Sequence, residues 1–137
     1  MVLYKEIGRI DNDYFYNTDN SKFGNNFLRF YGSGKFSVFN RVGYDSKNHK
    51  LLSNYKISRE DFNPEKSQMG VIYDVEKIIY TRHLIINQCK ADISNAILTI
   101  KGDSLYLKSV GHPHMGTRVY MKYNINNTFL EGWKPDW

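Results

Sequence analysis

The residues best suited to chemistry are two histidines in the segment Gly111–Gly116, which reads Gly-His-Pro-His-Met-Gly. His112 and His114 are two positions apart, and the proline between them favours an extended backbone that projects both imidazoles to the same side. A zinc or copper site would need a third ligand, for which His83 and His49 are the candidates. The segment also has the composition of a loop between two strands. A metal site and a plain loop are therefore both open.

Other groupings that could support catalysis are weak. The acidic pairs Glu60-Asp61 and Asp11 with Asp13 lie in polar stretches, where carboxylates are usually solvated or cap a turn. No serine or cysteine has the surroundings of a nucleophile elbow. The sequence therefore favours a protein that is not an enzyme and needs no cofactor. A small metal-dependent enzyme at the two histidines is the weaker alternative.

Composition and charge are those of one folded domain. The chain has 137 residues, of which 41% are hydrophobic and 15% aromatic, so it is too apolar for a disordered protein and long enough for one core. The net charge is +5, but the 19 basic residues are scattered along the chain, which disfavours a nucleic-acid partner. Cys89 is the only cysteine, so it cannot form an intramolecular disulfide, and we expect it to be buried.

Two β-hairpins are the clearest structural elements. The first spans residues 27–39, where Gly34 accepts the left-handed conformation that a three-residue loop requires. Counting outward from the loop gives one apolar face and one mixed face, as expected for a sheet with one buried side. The apolar pairs are Phe30 with Phe36 and Leu28 with Val38, while the mixed face pairs Arg29 with Ser37 and Tyr31 with Lys35.

The second hairpin spans residues 96–108 and closes at Gly102-Asp103. This two-residue loop suits a primed turn, which needs a positive φ at its first position. A slip of one residue would turn its apolar face to the polar side, so the register is well determined. The predicted pairs are Ile100 with Leu105 and Leu98 with Leu107 on one face, and Thr99 with Tyr106 on the other.

Alternation predicts further strands at residues 69–75, 117–123 and 51–57. Residues 77–87 are apolar on both faces and interrupted by Arg82 and His83, which predicts a bulge or a bend. Helix is limited to one or two single turns with capping-box patterns, at residues 58–61 and 128–131. Because no helix can cover a sheet, the strands must close on each other. The fold class is all-β, most simply an antiparallel meander β-barrel, with a β-sandwich as runner-up.

Six short segments carry a resemblance to known proteins: Phe27–Phe36, Asn63–Lys66, Gly70–Tyr73, Lys101–Leu107, Val119–Lys122 and Trp133–Trp137. They resemble bacterial lipocalin-like lipoproteins, which are small envelope proteins with calycin-type β-barrels. The resemblance covers roughly residues 27–123 and implies a lipocalin-like meander barrel of about eight to ten strands. In this interpretation residues 1–137 are one β-barrel domain, with 1–26 as a peripheral N-terminal segment and 124–137 as a C-terminal extension.

The location of the protein depends on what precedes Met1. Residues 1–10 contain three charged side chains and cannot be the apolar core of a signal peptide. The resemblance implies a cell-envelope protein, periplasmic or at the surface, whose leader has been removed and whose membrane attachment is a lipid anchor upstream. If Met1 is the native start, the protein is cytoplasmic.

The function favoured by the sequence is a non-catalytic binding module. A barrel of this kind could hold a small apolar or amphipathic ligand in its cavity. If the mixed faces of the hairpins line the lumen, the ligand-binding candidates are Arg29, Tyr31, Tyr106 and Tyr120. The alternative is a protein-interaction domain, for assembly or inhibition, which an exposed apolar patch or an open sheet edge would favour.

Overall fold

The computed structural model describes residues 2–18 and 24–133, which form a closed antiparallel β-barrel. Eight strands pair in the order β11-β10-β9-β8-β7-β4-β3-β1, and pairing of β11 with β1 closes the ring. The all-β barrel predicted from the sequence is therefore confirmed. The strands are β1 Val2–Asp11, β2 Tyr14–Asn17, β3 Asn25–Phe30, β4 Lys35–Val42, β5 Tyr44–Asp45, β6 Lys50–Leu51, β7 Gln68–Val75, β8 Ile78–Asn87, β9 Lys90–Lys101, β10 Ser104–Ser109 and β11 Thr117–Lys122.

Helical structure in the described residues is limited to four short 3-10 turns, more than the one or two single turns expected. They are Arg59–Phe62, Pro64–Lys66, Pro113–Met115 and Asn127–Phe129. The first begins with the predicted capping box, in which Asp61 Oδ2 accepts from the backbone N–H of Ser58 at 2.7 Å. No helix in the described part of the chain has the length and apolar character needed to cross a membrane.

Both predicted hairpins form with the expected register. In β3–β4 Phe30 pairs with Phe36 and Leu28 with Val38, and Gly34 has a φ of 77°. The β9–β10 hairpin pairs Ile100 with Leu105, Leu98 with Leu107 and Thr99 with Tyr106, around Gly102 at a φ of 59°. Short-range turn chemistry and alternation therefore determine these registers without help from the rest of the fold.

The prediction that residues 1–26 form a peripheral segment is wrong for β1. Its first half pairs with β3 and its whole length runs along β11, so it completes the ring. A register shift between Glu6 and Gly8 breaks the regular alternation of this strand. Four charged side chains in the strand, Lys5, Glu6, Arg9 and Asp11, also obscure its β pattern. Only β2, which pairs with Gly8–Asp11 beside the barrel, is peripheral.

Three smaller predictions are also wrong. β8 is one continuous strand without a register shift. It is apolar on both faces because one face points into the barrel and the other lies on its outer surface. Residues 51–57 do not form a strand beyond Leu51, which pairs only with Tyr44 in the two-stranded β5–β6 sheet. Cys89 is exposed rather than buried, because it lies in the turn between β8 and β9 with a φ of 65°.

Apolar side chains form two clusters separated by the sheet. The inner cluster contains residues from β1, β3, β4, β9, β10 and β11, and it can connect all of these strands only through the barrel interior. It comprises Tyr4, Leu28, Phe36, Val38, Ala96, Leu98, Leu105, Leu107 and Tyr120. The outer cluster lies on the outside of β1, β3 and β4 and comprises Leu3, Phe27, Phe39, Val42, Phe62 and Leu130.

Two segments that are not strands cover the outer cluster. The first is the 3-10 turn that carries Phe62, whose ring packs edge-on against Phe27 with centroids 5.3 Å apart. The second is residues 123–133, which we call the C-terminal strap. Its Leu130 belongs to the outer cluster, and the backbone N–H of Tyr123 donates to the Leu3 carbonyl at 2.8 Å. The described part of the predicted extension at 124–137 is therefore packed on the barrel, and 134–137 lie outside the described residues.

Replacement of Gly70 by alanine should destabilise the barrel. A Cβ at Gly70 would lie 2.4 Å from the Phe36 ring and 2.7 Å from the Arg82 carbonyl oxygen, and neither can move freely because one is core and the other backbone. We expect Gly70→Ala to lower the free energy of unfolding by about 2 kcal/mol, measured by urea denaturation. Gly32→Ala is the matched control, because nothing lies within 4 Å of a Cβ there. Equal stabilities of the two variants would contradict this packing.

Candidate functional site

The register of β11 points two polar side chains into the barrel. Tyr120 pairs with Leu105 of β10, and Arg118 pairs with Leu107. Both leucines belong to the inner cluster. Since residues directly opposite each other in an antiparallel pair lie on the same face, Arg118 and Tyr120 point into the lumen.

β1 adds two more charged side chains at the same place. Arg9 pairs directly with Arg118, and Glu6 pairs with Tyr120. The Glu6 carboxylate accepts a hydrogen bond from Asn26 Nδ2 at 3.0 Å, which holds it against the start of β3. Two strands that meet at the closure of the barrel therefore supply two guanidinium groups, one carboxylate and one phenol to one region of the lumen.

His83 reaches this region from β8, on the wall opposite β1. It is only 7% exposed, and its ring packs edge-on against Phe36 with centroids 5.9 Å apart. Burial, assisted by the positive charge of Arg118, lowers the pKa of His83 to about 4. The imidazole is therefore neutral at neutral pH and can both donate and accept a hydrogen bond.

Tyr120 contributes the most buried polar group of the site. Its side chain is fully buried, and its hydroxyl lies beside the Glu6 carboxylate without a hydrogen bond of normal geometry to any described residue. Burial raises its pKa; Arg118 acts in the opposite direction, and the nearby Glu6 carboxylate raises the pKa further. The phenol therefore stays protonated, and a donor of this kind needs an acceptor. We call Glu6, Arg9, His83, Arg118 and Tyr120 the mouth cluster.

A surface cleft lies next to the mouth cluster along β1 and β11, and none of the five side chains of the cluster lines it. The cleft has a volume of about 630 Å³ and lies between the turn that follows β1 and the loop that precedes β11. Residues 10–13 form one wall, while Lys108, Ser109 and part of 111–117 form the other. Beyond Tyr120 the inner cluster occupies the lumen with buried apolar side chains. The site thus has a polar entrance and an apolar floor.

The four ligand-binding candidates predicted from the sequence do not lie together in the structure. The apolar face of the first hairpin points inward, so Arg29 and Tyr31 lie on the outside of the barrel, and Arg29 lies beneath the C-terminal strap. Arg29 is fully buried there and donates to the carbonyl oxygens of Leu130 at 2.6 Å and Trp133 at 2.9 Å. Its guanidinium also lies 4.8 Å from the centre of the Tyr31 ring.

Tyr106 also lies on the outer surface, while Tyr120 is inside. The ammonium of Lys101 lies 5.8 Å from the centre of the Tyr106 ring, on the same outer face as Thr99. Of the four candidates, only Tyr120 therefore belongs to the mouth cluster. The β9–β10 hairpin follows the same rule as the first, since its apolar face points inward.

The two histidines of the proposed metal site are exposed in the loop before β11. The centroids of the His112 and His114 rings are 5.8 Å apart. Within residues 2–18 and 24–133 no three His, Cys, Asp or Glu side chains are grouped so that they could hold a metal ion. His83 lies in the barrel, and His49 lies in the β5–β6 turn, where Nδ1 is 3.3 Å from the Tyr44 hydroxyl. Neither supplies the third ligand.

The outside of β7, β8 and β9 carries an apolar surface that the strap does not cover. Its most exposed members are 42% to 68% accessible, far more than is usual for large aliphatic side chains. A shallow groove of about 300 Å³ runs between them, beside Arg82. We call this surface the outer stripe; it consists of Met69, Val71, Leu84, Ile86 and Ile93.

Comparison with known proteins leaves the family of the chain open. No family model matches it, and no curated protein or solved structure is significantly similar to it. The closed eight-stranded antiparallel barrel is compatible with a lipocalin-like barrel.

Proposed function

We propose that this protein is a non-catalytic binding module that holds a small amphipathic molecule at the mouth of the barrel. The observation that carries the proposal is the buried Tyr120 hydroxyl, which lies among charged groups and next to apolar side chains and forms no hydrogen bond of normal geometry in the described chain, although the Glu6 carboxylate is nearby. Buried polar groups in proteins are rarely left unpaired, and a ligand would supply the missing acceptor.

The size of the ligand follows from the barrel. An eight-stranded barrel is only wide enough to be filled by side chains or to hold one small ligand. Here the inner cluster already packs apolar side chains from six strands into the lumen. The ligand is therefore short, with an apolar part that reaches the floor and a polar part that stays among the mouth cluster.

Two adjacent residues of β9 provide the test. Ser94 pairs with His83 on the inner face, and Ile93 pairs with Leu84 on the outer face. We expect Ser94→Phe to weaken binding of the amphipathic probe 8-anilino-1-naphthalenesulfonate at least tenfold, because the ring would fill the mouth. Ile93→Phe is the control and should leave the affinity unchanged. Loss of probe binding in Ile93→Phe alone would place the binding site on the outer stripe and contradict the proposal.

The family and location belong to the same proposal. We infer a lipocalin-like protein of the cell envelope, supported by the meander order of the barrel and by the resemblance of residues 27–123. Cell fractionation with an antibody against the folded domain tests the location. Recovery with the envelope would support it, and recovery in the cytoplasm alone would contradict it.

The outer stripe favours a second candidate, a protein-interaction domain for assembly. Contiguous exposed apolar surface on a soluble domain commonly marks an interaction site. If the stripe joins copies of this chain, Leu84→Glu should abolish the concentration-dependent association measured by sedimentation velocity. Thr99→Glu, on the outer face of the same sheet, is the control. A monomeric wild-type protein at all concentrations would remove this candidate.

A further inference from the structure

We propose that the mouth cluster is a carboxylate-binding site, in which Arg9 and Arg118 bind a monoanionic group and the Tyr120 hydroxyl donates a third hydrogen bond. This inference rests on the proposed function and names the chemical class of the ligand. It is carried by the pairing of the two arginines, by their lack of partners and by the charge balance of the site.

The two guanidinium groups face each other with no carboxylate bonded between them. Arg9 and Arg118 are direct partners in the β1–β11 ladder, and side chains in such positions start about 5 Å apart. Like charges at opposite positions repel. Within the described residues neither arginine side chain forms a hydrogen bond or an ion pair. An anion between them would remove the repulsion and could accept planar, paired hydrogen bonds from each fork.

Arg9 is held in position by the loop before β11. A Cβ at Gly116 would lie 3.3 Å from Arg9 Cγ and 2.5 Å from the Ile10 carbonyl oxygen, so the stem of Arg9 passes close to this glycine. The contact restricts the side chain before any ligand arrives. A binding group that is already ordered loses less entropy when it binds.

The charge balance favours a monoanion. Arg9 and Arg118 contribute two positive charges, and Glu6 contributes one negative charge next to Tyr120. His83 adds none at neutral pH. The net charge of these five side chains is therefore +1, which one carboxylate neutralises, whereas a phosphate dianion would add excess negative charge near Asp11 and Asp13 of the adjoining cleft.

The positions of the side chains on β11 also indicate from which side each group would donate a hydrogen bond to the ligand. Tyr120 lies one inward step deeper than Arg118 on β11, so its hydroxyl would meet the ligand from the floor while the guanidinium groups meet it from the entrance. The apolar tail would then lie against Leu105 and Leu107, the partners of Tyr120 and Arg118.

The test is isothermal titration calorimetry of the full chain with octanoate, 1-octanol and octyl phosphate. We expect octanoate to bind at least tenfold more tightly than octanol. Arg118→Met should remove this preference, and Tyr120→Phe should weaken octanoate binding severalfold without affecting octanol. Arg82→Met is the matched control, because Arg82 lies on the outer face and is bonded to Asn95 at 2.9 Å.

The outcomes separate this inference from the proposed function. Equal binding of octanoate and octanol by the wild-type chain would overturn the carboxylate site and leave binding at the mouth intact. Tighter binding of octyl phosphate than of octanoate would overturn the choice of a monoanion. Binding of none of the three would overturn both the proposed function and this inference. Circular dichroism spectra that match the wild type show that Arg118→Met is folded.

Discussion

Replacement of Arg29 by alanine is expected to lower the free energy of unfolding by about 3 kcal/mol. Its guanidinium is fully buried and donates two hydrogen bonds, at 2.6 and 2.9 Å, to carbonyl oxygens of the C-terminal strap. Hydrogen bonds from charged donors are worth more than neutral ones, and their loss leaves the Leu130 and Trp133 carbonyls without these donors. Chemical denaturation measured by circular dichroism gives the difference.

The strap gives this prediction a second readout. Arg59 holds the same segment by donating to the Glu131 carbonyl at 2.7 Å and by lying 4.2 Å from the centre of the Trp133 ring. If Arg29 fastens the strap, Arg29→Ala should shift the fluorescence of Trp133 towards that of a solvated indole. Arg82→Ala is the control, because Arg82 is exposed. A stability loss no larger than that of Arg82→Ala would contradict the role given to Arg29.

Acidification from pH 7 to pH 4 is expected to cost about 3 kcal/mol of stability through His83 alone. The folded pKa of about 4 lies below the ordinary value of 6.5, because the imidazole is buried and faces Arg118. Between these two values the unfolded chain binds a proton that the folded chain does not. The stabilisation is therefore complete above pH 6.5 and is lost as the pH falls towards 4.

Comparison of His83→Gln with the wild type separates the contribution of His83 to the pH dependence of stability from that of the carboxylates. We expect His83→Gln to have a flatter dependence of unfolding free energy on pH than the wild type between pH 7 and pH 4, as measured by urea denaturation. His49→Gln is the control, because His49 is exposed in the β5–β6 turn. Parallel pH dependences of His83→Gln and the wild type would show that His83 is not buried as neutral imidazole.

The sequence predicted those parts of the fold that are determined locally. Both tight hairpins follow from a glycine with positive φ and from alternation on either side of it, and their registers are correct. The same alternation left the choice of inner face open, because burying either face closes a barrel. The C-terminal strap determines which face is inside, because it covers Arg29 from outside. That contact joins residues 101 positions apart and has no local signal.

Most of the candidate site was missed for a related reason. Arg9 and Arg118 meet only because β1 closes the ring against β11, which is a pairing between the two ends of the chain. The shift at Glu6–Gly8 and the charged residues of β1 hid this strand. One local signal was present, since inward Tyr120 and Arg118 are two positions apart on a clearly alternating strand. This spacing identifies residues of the lumen only when it is known which face of the strand points inward.

The measurement that tests the central claim most directly is a titration with octanoate followed by methyl and arginine side-chain NMR. The account predicts shifts at the Arg118 Nε–Hε group and at the methyls of Leu105 and Leu107, while Leu84 and Ile93 on the outer stripe stay unchanged. Shifts confined to Leu84 and Ile93, with Arg118 unaffected, would contradict it and place the ligand outside the barrel.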